Sequence, residues 1–275
     1  MIEERIRVSD EVELFVAHSP GPTENPLLVI HGGPCWDHTY LLEPLVHLTD
    51  RKLLFPDLRG CGRSTGGLPD DRYTPDLVID DLIGLLDHFE VDQADVLGFS
   101  YGGLIAQRLA LRTNRVRRLI VASSSIPPVP PDAFGNWPER TLRQSEETPT
   151  DLEGPARTRH NALTSARANV WRPESLPDYR ARINNIHFTN DWDAPYLAGT
   201  LPSPRYPDAL QRFTTSNLPI LLLHGAQDMT FPAHLATEAA TAIPTATAVV
   251  LDQAGHMTHI DQPEPWLTAV QEFLS

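Results

Sequence analysis

The chain has 275 residues, 41% of them hydrophobic and 21% charged, enough for one large α/β domain with an insertion or two small domains, and it shows no sign of disorder. A formal net charge of −14 at pH 7, with no basic stripe, excludes a nucleic-acid partner. Residues 1–20 are charged throughout, and no stretch reaches the roughly 18 apolar residues of a spanning helix, so no signal peptide or membrane association is expected and a cytoplasmic location is.

The first strand-like run is "LLVI" at 27–30, continuous and apolar, stopping at the glycine-rich turn His31-Gly32-Gly33-Pro34. Runs at 52–57, 95–99, 117–125, 219–225 and 247–252 have the same form and predict the remaining strands of a mainly parallel sheet. Between them, Leu77, Val78, Leu82, Leu85, Leu86 and Phe89 recur at three- and four-residue steps. They predict an amphipathic helix over 76–89 with Asp80, Asp81 and Asp87 left to solvent. Further helices are predicted over 104–111 and 263–274, covering the sheet on both faces.

One segment interrupts the alternation. Residues 126–210 hold 13 of the 26 prolines and Trp137, Trp171 and Trp192, with only short helical patterns such as 156–170. This predicts a cap or lid inserted into a core formed by 1–125 and 211–275.

Ser100 sits in Gly98-Phe99-Ser100-Tyr101-Gly102, directly after one predicted strand and directly before a helix. That is the context of a nucleophile elbow, in which small flanking residues permit a sharp turn and the helix start aims N–H groups at the same point. A serine hydroxyl needs a base and an orienting acid, expected in the chain order acid then histidine. Asp228 follows the strand at 219–225, and His256 follows the next, behind Gly255. The C-terminal ends of parallel strands share one sheet edge, so Ser100, Asp228 and His256 can meet there. Asp252 and Asp261 are rival acids, and His259 is the rival base; a metal site built on the His256/His259 pair lacks further ligands, so no metal or cofactor is expected. For an oxyanion hole, Pro34 has no N–H to give, which points to Gly33 and Tyr101 as donors. Asp57 and Arg59 read as structural, as do His31 and His224, which end strands. Cys35 and Cys61 lie in glycine-rich loops and are expected as free thiols.

The turn at 31–34, "DLRGCGRS" at 57–64, the elbow at 98–102, "HGAQD" at 224–228 and "GH" at 255–256 together resemble the α/β-hydrolase fold, and within it the proline iminopeptidases and their relatives. The resemblance spans nearly the whole chain and departs at two places. Cys35 stands where the family continues with glycine, and the cap stretch "RINNIHF" at 182–188 has Asn184 where the iminopeptidase pattern has a glutamate that holds the substrate's amino group. An amide supplies no countercharge for an ammonium, although Asp191 and Asp193 lie close by. Asn184, Cys35 and Trp192 are therefore the candidate substrate contacts.

The sequence thus predicts a serine hydrolase acting on an ester or amide of a small molecule or short peptide. It leaves open an aminopeptidase, a carboxylesterase or lactonase on small neutral acyl groups, and a slow or non-catalytic binding protein or sensor of the same fold. It also leaves the oligomeric state open.

Overall fold

The structure, a computed structural model, describes every residue except Thr23 and residues 146–149, the latter inside the expected cap. Its sheet has eight strands in the order β1-β2-β4-β3-β5-β6-β7-β8, formed by β1 (Ile2–Arg7), β2 (Glu13–His18), β3 (Leu27–Ile30), β4 (Leu53–Pro56), β5 (Ala94–Phe99), β6 (Val116–Ala122), β7 (Ile220–Gly225) and β8 (Ala246–Leu251). All six strands expected from apolar runs are present, and from β4 to β8 neighbours pair in parallel. The antiparallel hairpin β1/β2 is additional to them. In β1 only Ile6 is buried, so this edge strand has no continuous apolar run to reveal it.

Alternation of side chains across the pleat divides the core. Leu28, Ile30, Val96, Leu119 and Val121 pack on one face with residues of α1 (Pro75–His88), α2 (Tyr101–Arg112) and α9 (His234–Ala242). Leu27, Val29, Leu97, Phe99 and Ile120 pack on the other with Trp266, Val270 and Leu274 of α10 (Pro263–Leu274). In α1, Thr74 caps the first turn by accepting from Leu77 N–H and Pro75 takes a position whose missing N–H costs nothing. Val78, Ile79, Leu82, Leu85 and Leu86 are buried along one stripe, each worth roughly 1.5–3 kcal/mol.

Asp81 corrects the reading of that helix. It is buried, and Arg59 donates to it from Nε at 2.6 Å and Nη2 at 2.7 Å. Arg59 also donates to the Arg72 carbonyl, so it ties the loop after β4 to α1. A buried carboxylate is tolerable there because the fork of a guanidinium answers both oxygens. Apolar periodicity does not register such a partner.

Between β6 and β7 the chain runs through α3 (Pro138–Gln144), α4 (Gly154–Thr164), α5 (Ala166–Asn169), α6 (Leu176–Asn185), α7 (Asp193–Leu197) and α8 (Ala209–Thr214). The segment is fastened to the sheet edge by polar bonds. Trp192 Nε1 donates to the Arg59 carbonyl, His187 N–H to Asp37, and Met257 N–H to the Asn169 carbonyl. Among the described residues no helix is long and apolar enough to cross a membrane.

Candidate active site

Ser100 lies between β5 and α2 with φ 55° and ψ −119°, a conformation that a non-glycine residue holds only when its surroundings fix it. Its N–H donates to the Ala122 carbonyl on β6 and its carbonyl accepts from Gly103, which pins the turn on both sides. The turn also requires bare glycines. A Cβ on Gly98 would collide with the Gly102 carbonyl, and one on Gly102 with the Ile30 and His31 carbonyls. The tight approach of β3, β5 and α2 therefore raises the Ser100 side chain over the sheet edge.

His256 Nε2 lies 3.0 Å from Ser100 Oγ, and His256 Nδ1 lies 2.9 Å from Asp228 Oδ2. A carboxylate only accepts, so Nδ1 carries the imidazole proton and Nε2 is left bare toward the serine. Asp228 Oδ1 accepts from Thr230 N–H at 2.7 Å and Phe231 N–H at 2.9 Å. Burial alone would raise the Asp228 carboxyl, but the adjacent imidazoles of His256 and His224 more than offset it and hold the carboxyl well below the usual range. Asp228 is thus ionised at neutral pH. The His256 ring is flanked by Phe99 and Phe231, with centroids at 5.2 and 6.0 Å.

The rivals have other partners. His259 is buried with Nε2 3.2 Å from the Tyr40 carbonyl, and burial together with Arg182 pushes its imidazole well below the usual range. Asp252 is exposed and accepts from Gln227. Asp261 accepts from Gly255, Trp171 and Arg172 N–H groups and holds the loop that carries His256. His31 is a satisfied core histidine between the Gly32 carbonyl and Leu58 N–H. Asp57 accepts from His38 and from Arg63 N–H, a structural role like that of Arg59.

A cavity of about 190 Å³ opens at Ser100, lined by Gly33, Trp36, Tyr40, Phe99, Asn169, Thr230, His256 and Met257. Gly33 brings the glycine-rich turn after β3 to its wall. Within that turn Gly32 N–H donates to the Tyr40 hydroxyl, Cys35 N–H to Cys61 Sγ, and Pro34 has no N–H to give. Tyr101 is the first residue of α2, where N–H groups have no partner within the helix.

The expected substrate contacts do not reach this cavity. Asn184 is exposed on α6, where Arg159 donates to its Oδ1. Cys35 is buried at φ 77° with its sulfur toward Asp193, and Trp192 is buried against Tyr73 and Tyr101. Asp191 accepts from Gly67 N–H and the Tyr73 hydroxyl, while Asp193 pairs with Arg157. The lining residues Trp36, Tyr40, Asn169, Thr230 and Met257 have no counterpart among the sequence candidates. Trp36, Thr230 and Met257 stand two residues or fewer from a motif position, which is the one signal the sequence holds for them.

A family model for the alpha/beta hydrolase fold matches residues 25–263. The chain belongs to the α/β-hydrolase family. This α/β-hydrolase is 30% identical over 261 residues to a 2-hydroxymuconate semialdehyde hydrolase of Pseudomonas sp. (strain CF600), covering 91% of this chain and 87% of that one. It is 23% identical over 279 residues to a proline iminopeptidase of Lactobacillus helveticus, covering 90% and 89%. Among solved structures it matches a proline iminopeptidase-related protein from Thermus thermophilus with TM-score 0.75 and 25% identity over 100% of this chain and 98% of that one. A thermophilic esterase from Thermogutta terrifontis matches with TM-score 0.71 and 26% identity, again over 100% and 98%. Hydrolases, peptidases and esterases are thus all among the proteins this α/β-hydrolase resembles.

Proposed function

We propose that the protein is a serine hydrolase in which Ser100 is the nucleophile, His256 the general base and acid, and Asp228 the orienting carboxylate. The observation that carries this reading is the unbroken hydrogen-bond line from Ser100 Oγ through His256 to Asp228 Oδ2, beside a cavity. Ser100 Oγ attacks the carbonyl carbon as its proton passes to His256 Nε2; the imidazolium, stabilised by Asp228, then protonates the leaving group. Water, deprotonated by His256, adds to the acyl-enzyme and releases the acid with Ser100 restored. The N–H groups of Gly33 and Tyr101 receive the oxyanion. Residues 126–210 act as a cap on the core of 1–125 and 211–275, and Asn169 contributes its part of the cavity wall.

The substrate class proposed is a small neutral ester. Among the described residues no carboxylate lines the cavity, and Asp191 and Asp193 are engaged elsewhere, so an ammonium group entering it meets no countercharge. A volume near 190 Å³ suits a small acyl group rather than the larger ligands of roughly 300–1,000 Å³ pockets. The two free thiols support action in a reducing, cytoplasmic compartment. Turnover of p-nitrophenyl acetate and butyrate tests the reading: Ser100→Ala folds and loses on the order of 10⁴-fold or more in kcat, whereas activity near the native level in that variant overturns it.

A further inference from the structure

Asp228 serves two imidazoles. His224, at the end of β7, places Nε2 3.2 Å from Asp228 Oδ2, the same oxygen that holds His256 Nδ1, and 2.7 Å from the Phe231 carbonyl. Both neighbours of Nε2 are acceptors, so Nε2 carries the proton and shares it between them. His224 Nδ1 is buried without a partner, which fits the tautomer that carries its proton on Nε2. The ring is wholly buried at the base of the acid loop. From the sequence alone His224 has only a structural place.

We propose that His224 is a positioning residue for the hydrolase reaction: its Nε2–H competes with His256 for one carboxylate oxygen and so sets how strongly Asp228 holds the imidazolium. This rests on the triad reading above. A carboxylate that donates part of its electron density to a second N–H is a weaker acceptor for the first. Removing His224 leaves the whole of Oδ2 to His256, which then binds its proton more tightly. It also frees the loop at Phe231, whose ring stacks beside His256.

Among the described residues the charged and titratable surroundings of this pair are few. Around Asp228 stand His256 and His224, with Arg140 donating to the Met229 carbonyl on the same loop and His234 lining the cleft that Asp228 also borders. Around His256 stand Asp228, Ser100 and, beyond Phe99, His259. Asp261 reaches that loop through Gly255 N–H, and Asp252 through Gln227, whose side-chain oxygen accepts from Ala254 N–H.

The experiment compares kcat/KM against pH on p-nitrophenyl butyrate for the native protein, His224→Phe and His224→Gln, the glutamine keeping an N–H donor. The acid limb reports the proton affinity of the base in the free enzyme. His224→Phe is expected to move that limb upward by about half a pH unit to one unit and to lower kcat several-fold with KM little changed, and His224→Gln to restore most of both. An unmoved limb in His224→Phe, or a glutamine variant displaced as far as phenylalanine, overturns the proposal. Nitrogen-15 imidazole spectra of the native protein give an answer independent of any variant: a proton on His224 Nε2 supports the proposal and a proton on Nδ1 alone contradicts it. Failure of the triad itself is distinguished by His256→Ala, which in that case retains turnover.

Discussion

Gly255 N–H donates to Asp261 Oδ2 at 2.8 Å, so the residue before His256 is held by a carboxylate five residues after that histidine. The same oxygen accepts from Trp171 N–H at 2.7 Å and Oδ1 accepts from Arg172 N–H at 3.1 Å, while the Arg172 guanidinium returns a bond to the Asp261 carbonyl. One buried side chain therefore fixes the loop that carries His256 and fastens Trp171 and Arg172 of the 126–210 segment beside it. Hydrogen bonds to a charged group are each worth about 1.5–3 kcal/mol, and an N–H buried without an acceptor costs a similar amount.

Asp261→Ala is accordingly expected to destabilise the fold by about 3–5 kcal/mol, read from the midpoint of urea unfolding at constant slope. Asp261→Asn, which keeps one acceptor oxygen, is expected to lose roughly half as much. In the folded variants the effect on kcat is expected to exceed that on KM, because the displaced group is the proposed base, His256. Native stability in Asp261→Ala would show that the three N–H groups find other acceptors.

Among the described residues the cavity has no acidic lining residue, and this fixes an expected preference. The kcat/KM on small p-nitrophenyl esters exceeds that on prolyl-arylamides by at least about 100-fold, the order of magnitude of one unpaired buried charge. Asn184→Glu leaves this ratio unchanged, since Asn184 faces solvent with Arg159. Efficient prolyl-arylamide cleavage that disappears in Asp193→Asn would place an amine anchor at Asp193 and refute the assignment of neutral esters.

Burial pushes the Cys35 thiol up to about 11 and raises Cys61 well above the usual range. The nucleophilic form is the thiolate, so at pH 8 only on the order of one Cys35 in a thousand is reactive, and the fraction grows tenfold with each pH unit toward 11. Iodoacetamide at pH 8 is expected to leave both residues unmodified in the folded protein and to label both in urea, with the sites read by peptide mass spectrometry. Rapid labelling of Cys35 in the native state would mean that its sulfur faces solvent or the cavity.

Motifs that depend on backbone geometry are legible in the sequence. Ser100 can be placed because glycines at 98 and 102 admit a tight crossing of β5 and α2, and Asp228 and His256 because each follows a continuous apolar strand. Features that depend on a distant partner are not. Asp81 reads as a surface aspartate until Arg59 is beside it, and β1 reads as a charged segment until its pairing with β2 is seen. Asn184 draws a substrate role from local likeness alone, but α6 presents it to Arg159. Tyr40 and Asn169 line the cavity through one 3₁₀ turn and one short helix, whose placement follows from tertiary packing that no periodicity encodes.

The central claim is that Ser100 is made nucleophilic by His256 rather than by His259, and covalent capture tests it most directly. A fluorophosphonate incubated with the native protein, followed by tryptic mass spectrometry, is expected to give one adduct, on Ser100. Because His256 Nε2 is 3.0 Å from Ser100 Oγ whereas His259 Nε2 faces the Tyr40 carbonyl, His256→Ala is expected to slow labelling by at least about 1,000-fold and folded His259→Gln to change it less than about threefold. An adduct on another serine, or labelling lost in His259→Gln and kept in His256→Ala, would contradict the account.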